Sequence, residues 1–227
     1  MKSYYVEKLP GEKLRRCYEI APPRIQQYLD AEIQRVLESI SSDCRVLELG
    51  CGYGRVLQHL TKKARSVFGI DISASSIELA RQTLRGIPTC HLFVMNAVRL
   101  GFKDNTFDRV LCVQNGISAF HVDQRALINE SIRVTKNRGF VFYSSYSAKI
   151  WPERLHWFEL QAEAGLLGEI DWQQTRDGVI VCKDGFTART LSHDQFRDLT
   201  HDLTVDVTID EVDESSIFRV LTVHKGT

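Results

Sequence analysis

Glu48, Gly50, Gly52, Gly54 and Asp71 are the residues whose types and order could hold a nucleotide. Glycines at every second position let the backbone turn sharply and approach a ligand, because no Cβ stands in the way. N–H groups at the start of a following helix would add a mild positive potential. Glu48, just before the glycines, is an acceptor for ligand hydroxyls or for an amino group. Asp71 closes the run Phe68-Gly69-Ile70-Asp71. A carboxylate there can accept both hydroxyls of a ribose, each charge-assisted hydrogen bond contributing ~1.5–3 kcal/mol. The plainer alternatives are a tight strand-to-helix turn with no ligand, and Asp71 as a helix cap.

Such residues need elements to position them. Val46, Leu47 and Leu49 make a short buried strand before the glycines, and Val56, Leu57 and Leu60 follow at helical spacing. After Asp71, Ser75 and Glu78 form a capping-box pattern, and Ile77, Ala80 and Leu84 give the next helix an apolar stripe that ends near Gly86. A dinucleotide fingerprint GxGxxG counted from Gly50 and Gly52 would need a small residue where Arg55 stands, which weakens a reading as an NAD site. The Gly-Lys-Ser/Thr of a phosphate-binding P-loop is missing from the helix start.

Glu48-x-Gly50-x-Gly52-x-Gly54, then Asp71, then Asn96-Ala97, Leu100-Gly101-Phe102 and Phe107-Asp108 form an ordered series. In content, order and spacing, residues 46 to about 146 resemble the core of class I S-adenosylmethionine-dependent methyltransferases. The resemblance implies an α/β, Rossmann-like, doubly wound fold. Its sheet would be seven-stranded and mostly parallel with an antiparallel final strand. It implies S-adenosylmethionine as cofactor and S-adenosylhomocysteine as product, held by Glu48, Gly50, Cys51, Gly52, Gly54, Asp71, Ile72, Asn96, Ala97 and Val113. Asn96 departs from the family's usual aspartate at the adenine amino group, although an amide oxygen can still accept that hydrogen bond without the charge. No Asn/Asp-Pro-Pro-Tyr/Phe motif follows the fourth strand. The Gln114-Asn115-Gly116 turn there is closer to small-molecule methyltransferases of the glycine N-methyltransferase kind.

The implied function is methyl transfer to a small-molecule acceptor, with the nucleophile (N, O or S) open. The sulfonium is already activated, so alignment, with effective molarities of ~10⁵–10⁸ M, is the main task. A thiolate or free amine needs no protein base, and no catalytic residue follows from the motifs. For a phenol or alcohol the available bases are His121, His156 and His193. The alternatives are a non-catalytic S-adenosylmethionine-binding protein and an NAD-linked oxidoreductase.

Around the core, Pro22 and Pro23 open a helix whose apolar face is Ile25, Leu29, Ile33, Val36, Leu37 and Ile40. In small-molecule methyltransferases such a segment often closes over the cofactor. That makes Tyr4, Tyr5, Tyr18 and Arg24 candidate lid residues, with Arg24 within reach of a methionine carboxylate; packing or surface roles are the alternative. Asn115 is a candidate for the substrate or the methionine end, or else only a turn former. Tyr146 follows the fifth strand toward the same face. Trp151 to Ala164 has helical spacing, and Asp177-Gly178 and Asp184-Gly185 separate the β-rich runs Ile170 to Thr175, Val179 to Cys182 and Phe186 to Leu191. This predicts an inserted helix and a small antiparallel meander, walling an acceptor pocket or forming a dimer surface.

One methyltransferase domain over residues 1–227 accommodates these parts: N-terminal lid helices in 1–42, a cofactor-binding core in 43–147, the insertion in 148–191, and a last helix with two closing strands in 192–227. With 29 basic and 29 acidic residues, the chain lacks the basic excess of a nucleic-acid binder. Six cysteines show neither CxxC pairs nor metal-ligand spacing, so no metal site is expected and reduced thiols in a cytoplasmic protein are the simplest reading. The charged start is unlike a secretory signal, and no apolar run approaches the ~18 residues of a membrane span. The expected partners are a small-molecule acceptor and at most a second copy, as monomer or homodimer.

Overall fold

The computed structural model describes residues 4–226. Three helices lead in: α1 (Tyr4–Glu7), α2 (Glu12–Glu19) and α3 (Pro23–Glu38). The core then alternates strand and helix: β1 (Arg45–Leu49), α4 (Leu57–Leu60), β2 (Ser66–Asp71), α5 (Ala74–Thr83), β3 (Cys90–Val94), β4 (Phe107–Cys112), α6 (Gly116–Ala119), α7 (Gln124–Val134) and β5 (Thr135–Tyr146). A 3₁₀ turn (Ala148–Ile150), α8 (Trp151–Glu163) and the short strands β6 (Ile180–Val181) and β7 (Thr187–Ala188) follow. The described chain closes with α9 (His193–Thr200), β8 (Val205–Val212) and β9 (Ser216–Val223).

The seven-stranded sheet has the order β3-β2-β1-β4-β5-β9-β8. The first five strands are parallel, and β9 runs antiparallel to both β5 and β8. This is the doubly wound sheet expected from the sequence. Period-two alternation distributes the strand side chains to two faces. Val46, Val67, Leu111 and Phe142 pack with Ile33 and Val36 of α3, whereas Leu47, Ile70, Val110 and Val141 pack with Leu127 of α7 and Phe196 of α9. A third cluster lies apart from the sheet faces and joins the N-terminal helices to the 148–191 stretch through Cys17, Ile25, Tyr28, Trp157, Phe158 and Phe186.

Local details correct two expectations. The helix after Asp71 is capped by Ser73, whose Oγ accepts from Ser76 N, so Ser75 lies inside α5 and the Ser75–Glu78 box does not form. Of the three β-rich runs, only β6 and β7 pair as a ladder, with single bridges between Ile170 and Cys182 and between Arg176 and Val179. The Asp-Gly turns do take left-handed backbone at Asp177, Gly178 and Gly185. Between them Ile170, Ile180, Cys182, Phe186 and Ala188 are all buried against the helices. Packing onto that surface sets the path of the stretch, and little ladder is left. Among the described residues no helix is long and apolar enough to cross a membrane, and no cluster of three metal-ligating side chains occurs.

Candidate functional site

β1 pairs with β2 on one side and β4 on the other, and the connections from β1 and β4 depart to opposite faces. Ligands of open α/β sheets bind outside the carboxyl ends of the strands at such a switch point. Here β1 ends at Leu49, and Gly50, Gly52 and Gly54 all take left-handed backbone, with φ of 71°, 52° and 88°. At Gly50 any side chain would also collide, since a Cβ would lie 2.5 Å from the Phe120 ring.

Asp71 ties this corner to the next. Its Oδ2 accepts from Gly52 N at 2.9 Å and its Oδ1 from Ser73 N at 2.8 Å. Burial raises its pKa, and those two N–H groups pull it back. Asp71 itself lines the cleft. Glu48 is 4% exposed, and its Oε2 has no partner among the described residues. Burial pushes its carboxyl up to about 8, with Arg55 opposing and Asp71 adding to the rise. Arg55 lies 5.0 Å from the Tyr18 ring centre, with Nε and Nη2 buried and unpartnered.

Glu48, Gly50 and Asp71 open onto a cleft of about 950 Å³, open mouth included. Of the predicted cofactor residues, Glu48, Gly50, Asp71, Ile72, Asn96, Ala97 and Val113 line it. Ile72 is half exposed, an apolar surface beside Met95 at the cleft wall. Asn96 Oδ1 accepts from Val98 N at 3.1 Å, closing an Asx turn. Cys51, Gly52 and Gly54 do not line the cleft. Cys51 is buried behind it, Gly52 holds Asp71, and a Cβ at Gly54 would lie 2.8 Å from Leu84, the residue that follows α5.

A second chamber of about 510 Å³ adjoins the first, and Tyr5, Leu14, Tyr18, Gln114 and Ala119 line both. Its remaining wall includes Tyr146 and, from the 148–191 stretch, Trp157, Phe158, Gln161 and Phe186. Tyr18 and Tyr146 therefore stand where the sequence placed them. The corner between the chambers is strained, because Gln114 and Asn115 are both left-handed, with φ of 55° and 61°. Such residues cost ~1–3 kcal/mol each unless their surroundings hold them. Gln114 N is held by Glu32 Oε2 and Ser144 Oγ, each at 2.7 Å. Asn115 Nδ2 donates to Arg189 O, and its Oδ1 accepts from Ser145 Oγ. These two bonds fix the orientation of the Asn115 amide in the lining of the second chamber.

Other predicted residues lie elsewhere. Arg24 donates to the Asp213 carboxylate at 2.5 Å and to its carbonyl at 2.7 Å, in the turn between β8 and β9, and lines neither chamber. Tyr4 donates to Asp184 and packs on Phe186, which pins α1 to the hairpin instead of to the cleft. His121 is exposed between two lining residues, Phe120 and Val122, and does not line the cleft itself. His156 faces Glu159 at the surface, and His193 is exposed at the start of α9.

Glu32, Gln114, Arg154 and Gln161 were not singled out from the sequence. Glu32 is fully buried in the apolar stripe of α3, where it also accepts from Ser216 Oγ. Arg154 and Gln161 share the buried face of α8 with Trp157 and Phe158. A polar residue inside an apolar stripe was the available signal for all three of these helix residues.

A family profile described as a methyltransferase domain matches residues 46–139. The chain is similar to an uncharacterised protein of Methanocaldococcus jannaschii, with 36% identity over 110 residues, 48% of this chain and 44% of that protein. It is also similar to a ubiquinone biosynthesis O-methyltransferase of Vibrio cholerae serotype O1, with 27% identity over 109 residues, 47% of this chain and 43% of that one. The matches thus span less than half the length of these curated relatives. Among solved structures, a SAM-dependent methyltransferase from Methanosarcina mazei superposes with a TM-score of 0.62 at 20% identity, covering 84% of this chain and 97% of that one.

Proposed function

We propose, from the premise that this chain belongs to the class I S-adenosylmethionine-dependent methyltransferases through its domain at residues 46–139, that it transfers a methyl group to a small-molecule acceptor. The observation that carries the reading is the buried, unpartnered Glu48 Oε2 in the lining of a cleft that Gly50 and Asp71 also line. An orphaned acceptor of that kind is costly unless a ligand donates to it, and the α-amino group of S-adenosylmethionine is such a donor.

The other residues fit the same molecule. Asp71 presents two fixed oxygens to the ribose hydroxyls, and Ile72, Met95 and Ala97 offer apolar surface to the adenine ring. Asn96 holds the adenine edge through its amide. Arg55, like Arg24, lines neither chamber; its guanidinium lies over the Tyr18 ring and its charge opposes the burial-driven rise of the Glu48 carboxyl. When bound, the cofactor supplies an electrophilic methyl group on a sulfonium. The chain's own task is then to orient the acceptor and exclude water. Gln114, shared by both chambers, stands at the crossing, and α2 roofs it with Leu14 and Tyr18. None of the three candidate histidines lines either chamber, which favours an acceptor nucleophilic enough to dispense with a protein base. Transfer to a small molecule also accords with the Vibrio relative, named for ubiquinone biosynthesis.

The test is calorimetric titration with S-adenosylmethionine, S-adenosylhomocysteine and NAD, followed by a screen of amine, thiol, phenol and carboxylate acceptors for S-adenosylhomocysteine release. Saturable binding of the first two and turnover of at least one acceptor is the expected result. NAD binding without either adenosyl ligand would overturn the reading, and adenosyl binding with no turnover would favour a non-catalytic binding protein.

A further inference from the structure

We infer that the second chamber selects an acceptor of the aromatic carboxylate class, bound by its anionic group at the Gln161 side with its nucleophile toward Gln114; this rests on the methyl-transfer reading above. The argument starts from what the chamber leaves unsatisfied. Helix α8 turns Arg154, Trp157, Phe158 and Gln161 to one face, at the spacing that aligns side chains along a helix. Arg154 and Gln161 are 1% and 3% exposed. Gln161 lines the chamber and its Nε2 has no partner, and the same holds for Nε2 of Gln114 at the junction.

Arg154 stands just behind the wall. Its guanidinium lies 4.3 Å from the ring centre of Tyr146 and 5.7 Å from that of Phe158, and both rings line the chamber. It donates to Gly178 O at 2.8 Å, while Nε and Nη2 have no partner, and no acidic side chain pairs with it among the described residues. The aromatic faces offset part of the cost of burying this cation. A buried charge without a counter-ion is nonetheless a standing penalty that an incoming anion relieves.

The two buried, unpartnered side-chain atoms among the lining residues are both amide donors, and the charge that α8 sets behind its part of the wall is positive, whereas Glu32 lies behind Gln114. A cationic acceptor would meet repulsion, and a purely apolar one would leave both amides unpaired. A carboxylate supplies lone pairs and the missing charge together. Tyr18, Trp157, Phe158 and Phe186 then suit a planar ring, which packs against them edge-on or offset. Gln161 lines only this chamber whereas Gln114 is shared with the cofactor cleft, which fixes the polarity of the bound acceptor.

The experiment measures binding of matched acid and amide pairs (benzoate and benzamide, phenylacetate and phenylacetamide, indole-3-acetate and its amide) by calorimetry, with and without saturating S-adenosylhomocysteine. At least one acid is expected to bind about ten-fold or more tighter than its amide, the effect of one charged hydrogen-bonding group. Arg154→Met and, independently, Gln161→Leu should shrink that ratio to about three-fold or less and leave S-adenosylhomocysteine affinity unchanged. The wild-type ratio decides the matter even where a variant fails to fold. Amides that bind as well as acids, or acids that fail to bind in either condition, would overturn the inference. Loss of S-adenosylhomocysteine binding would instead strike the methyl-transfer reading, with the acid-to-amide ratio still reporting the chamber.

Discussion

Replacing Glu48 by Gln should abolish a proton release that accompanies cofactor binding, and the size of that release follows from the burial of one carboxyl. With a pKa raised to about 8, Glu48 carries about 0.9 proton at pH 7 in the free protein. A cationic amino group set against Oε2 demands the carboxylate, so binding expels that proton. The apparent Kd should then tighten about nine-fold from pH 6 to pH 7, or ~1.3 kcal/mol. This window lies below the ligand's own α-amino titration at roughly 7.7–8.0. Calorimetry with S-adenosylhomocysteine in buffers of contrasting ionisation enthalpy at pH 6.5 counts the protons directly. For wild type the expected count approaches one, and for Glu48→Gln it falls to near zero with a flat Kd between pH 6 and 7. Asp71, the other buried carboxyl of the cleft, is intact in that variant and serves as the internal control. A buffer-independent enthalpy in wild type, or an undiminished release in Glu48→Gln, would refute the assignment of Oε2 to the ligand's ammonium.

Asp71→Asn should weaken binding of adenosyl ligands at least about ten-fold, because a charged acceptor of ribose hydroxyls is lost. It should also lower stability by ~1–3 kcal/mol, since Gly52 N and Ser73 N address different oxygens of Asp71 and asparagine sets an NH2 donor against one of them. Unchanged Kd with lowered Tm would reduce Asp71 to a structural staple. Glu32→Gln should preserve the fold, because Ser216 Oγ can turn from donor to acceptor, whereas Glu32→Ala should cost ~2–4 kcal/mol by emptying a filled core site. Burial raises the Glu32 carboxyl, so its folded-state pKa exceeds the unfolded value of about 4.3. Its contribution to stability is complete below that value and is lost as pH climbs through the folded pKa. The decline of Tm with rising pH should accordingly be shallower in Glu32→Gln than in wild type, and equal slopes would contradict the burial argument.

The core of the fold was legible because its signals are local. Alternation at Val46, Leu47 and Leu49, glycines at fixed spacing, and a carboxylate ending the second strand each follow from neighbours a few residues away. The first chamber was therefore largely readable, down to Glu48, Asp71 and Val113. What failed was set by partners distant in the chain. Arg24 looked free to meet a carboxylate until the fold brought Asp213, 189 residues later, against it. Asn115 looked like an available amide, but Arg189 and Ser145 consume it. The Ser75–Glu78 pattern pointed to Ser75 as the cap of α5, but the cap is Ser73, whose own N–H is pinned by Asp71. Arg154 shares the apolar stripe of α8 with Trp157 and Phe158, a local hint of burial but not of what surrounds it. Its role depends on the N-terminal and 148–191 segments closing over it, which no local pattern encodes.

The roof shared by the two chambers bears on the order of events in solution. Helix α2 is anchored at one end by Gly11 N to Ser76 Oγ of α5 and near the other by Trp157 Nε1 of α8 to Cys17 O. Leu14 between those anchors and Tyr18 just past the second line both cavities. Cofactor and acceptor are thus kinetically yoked, since a displacement of α2 wide enough to release one also unseats a wall of the other. Residence times of the two ligands become a joint property of one helix and its two tethers, not separate properties of two pockets.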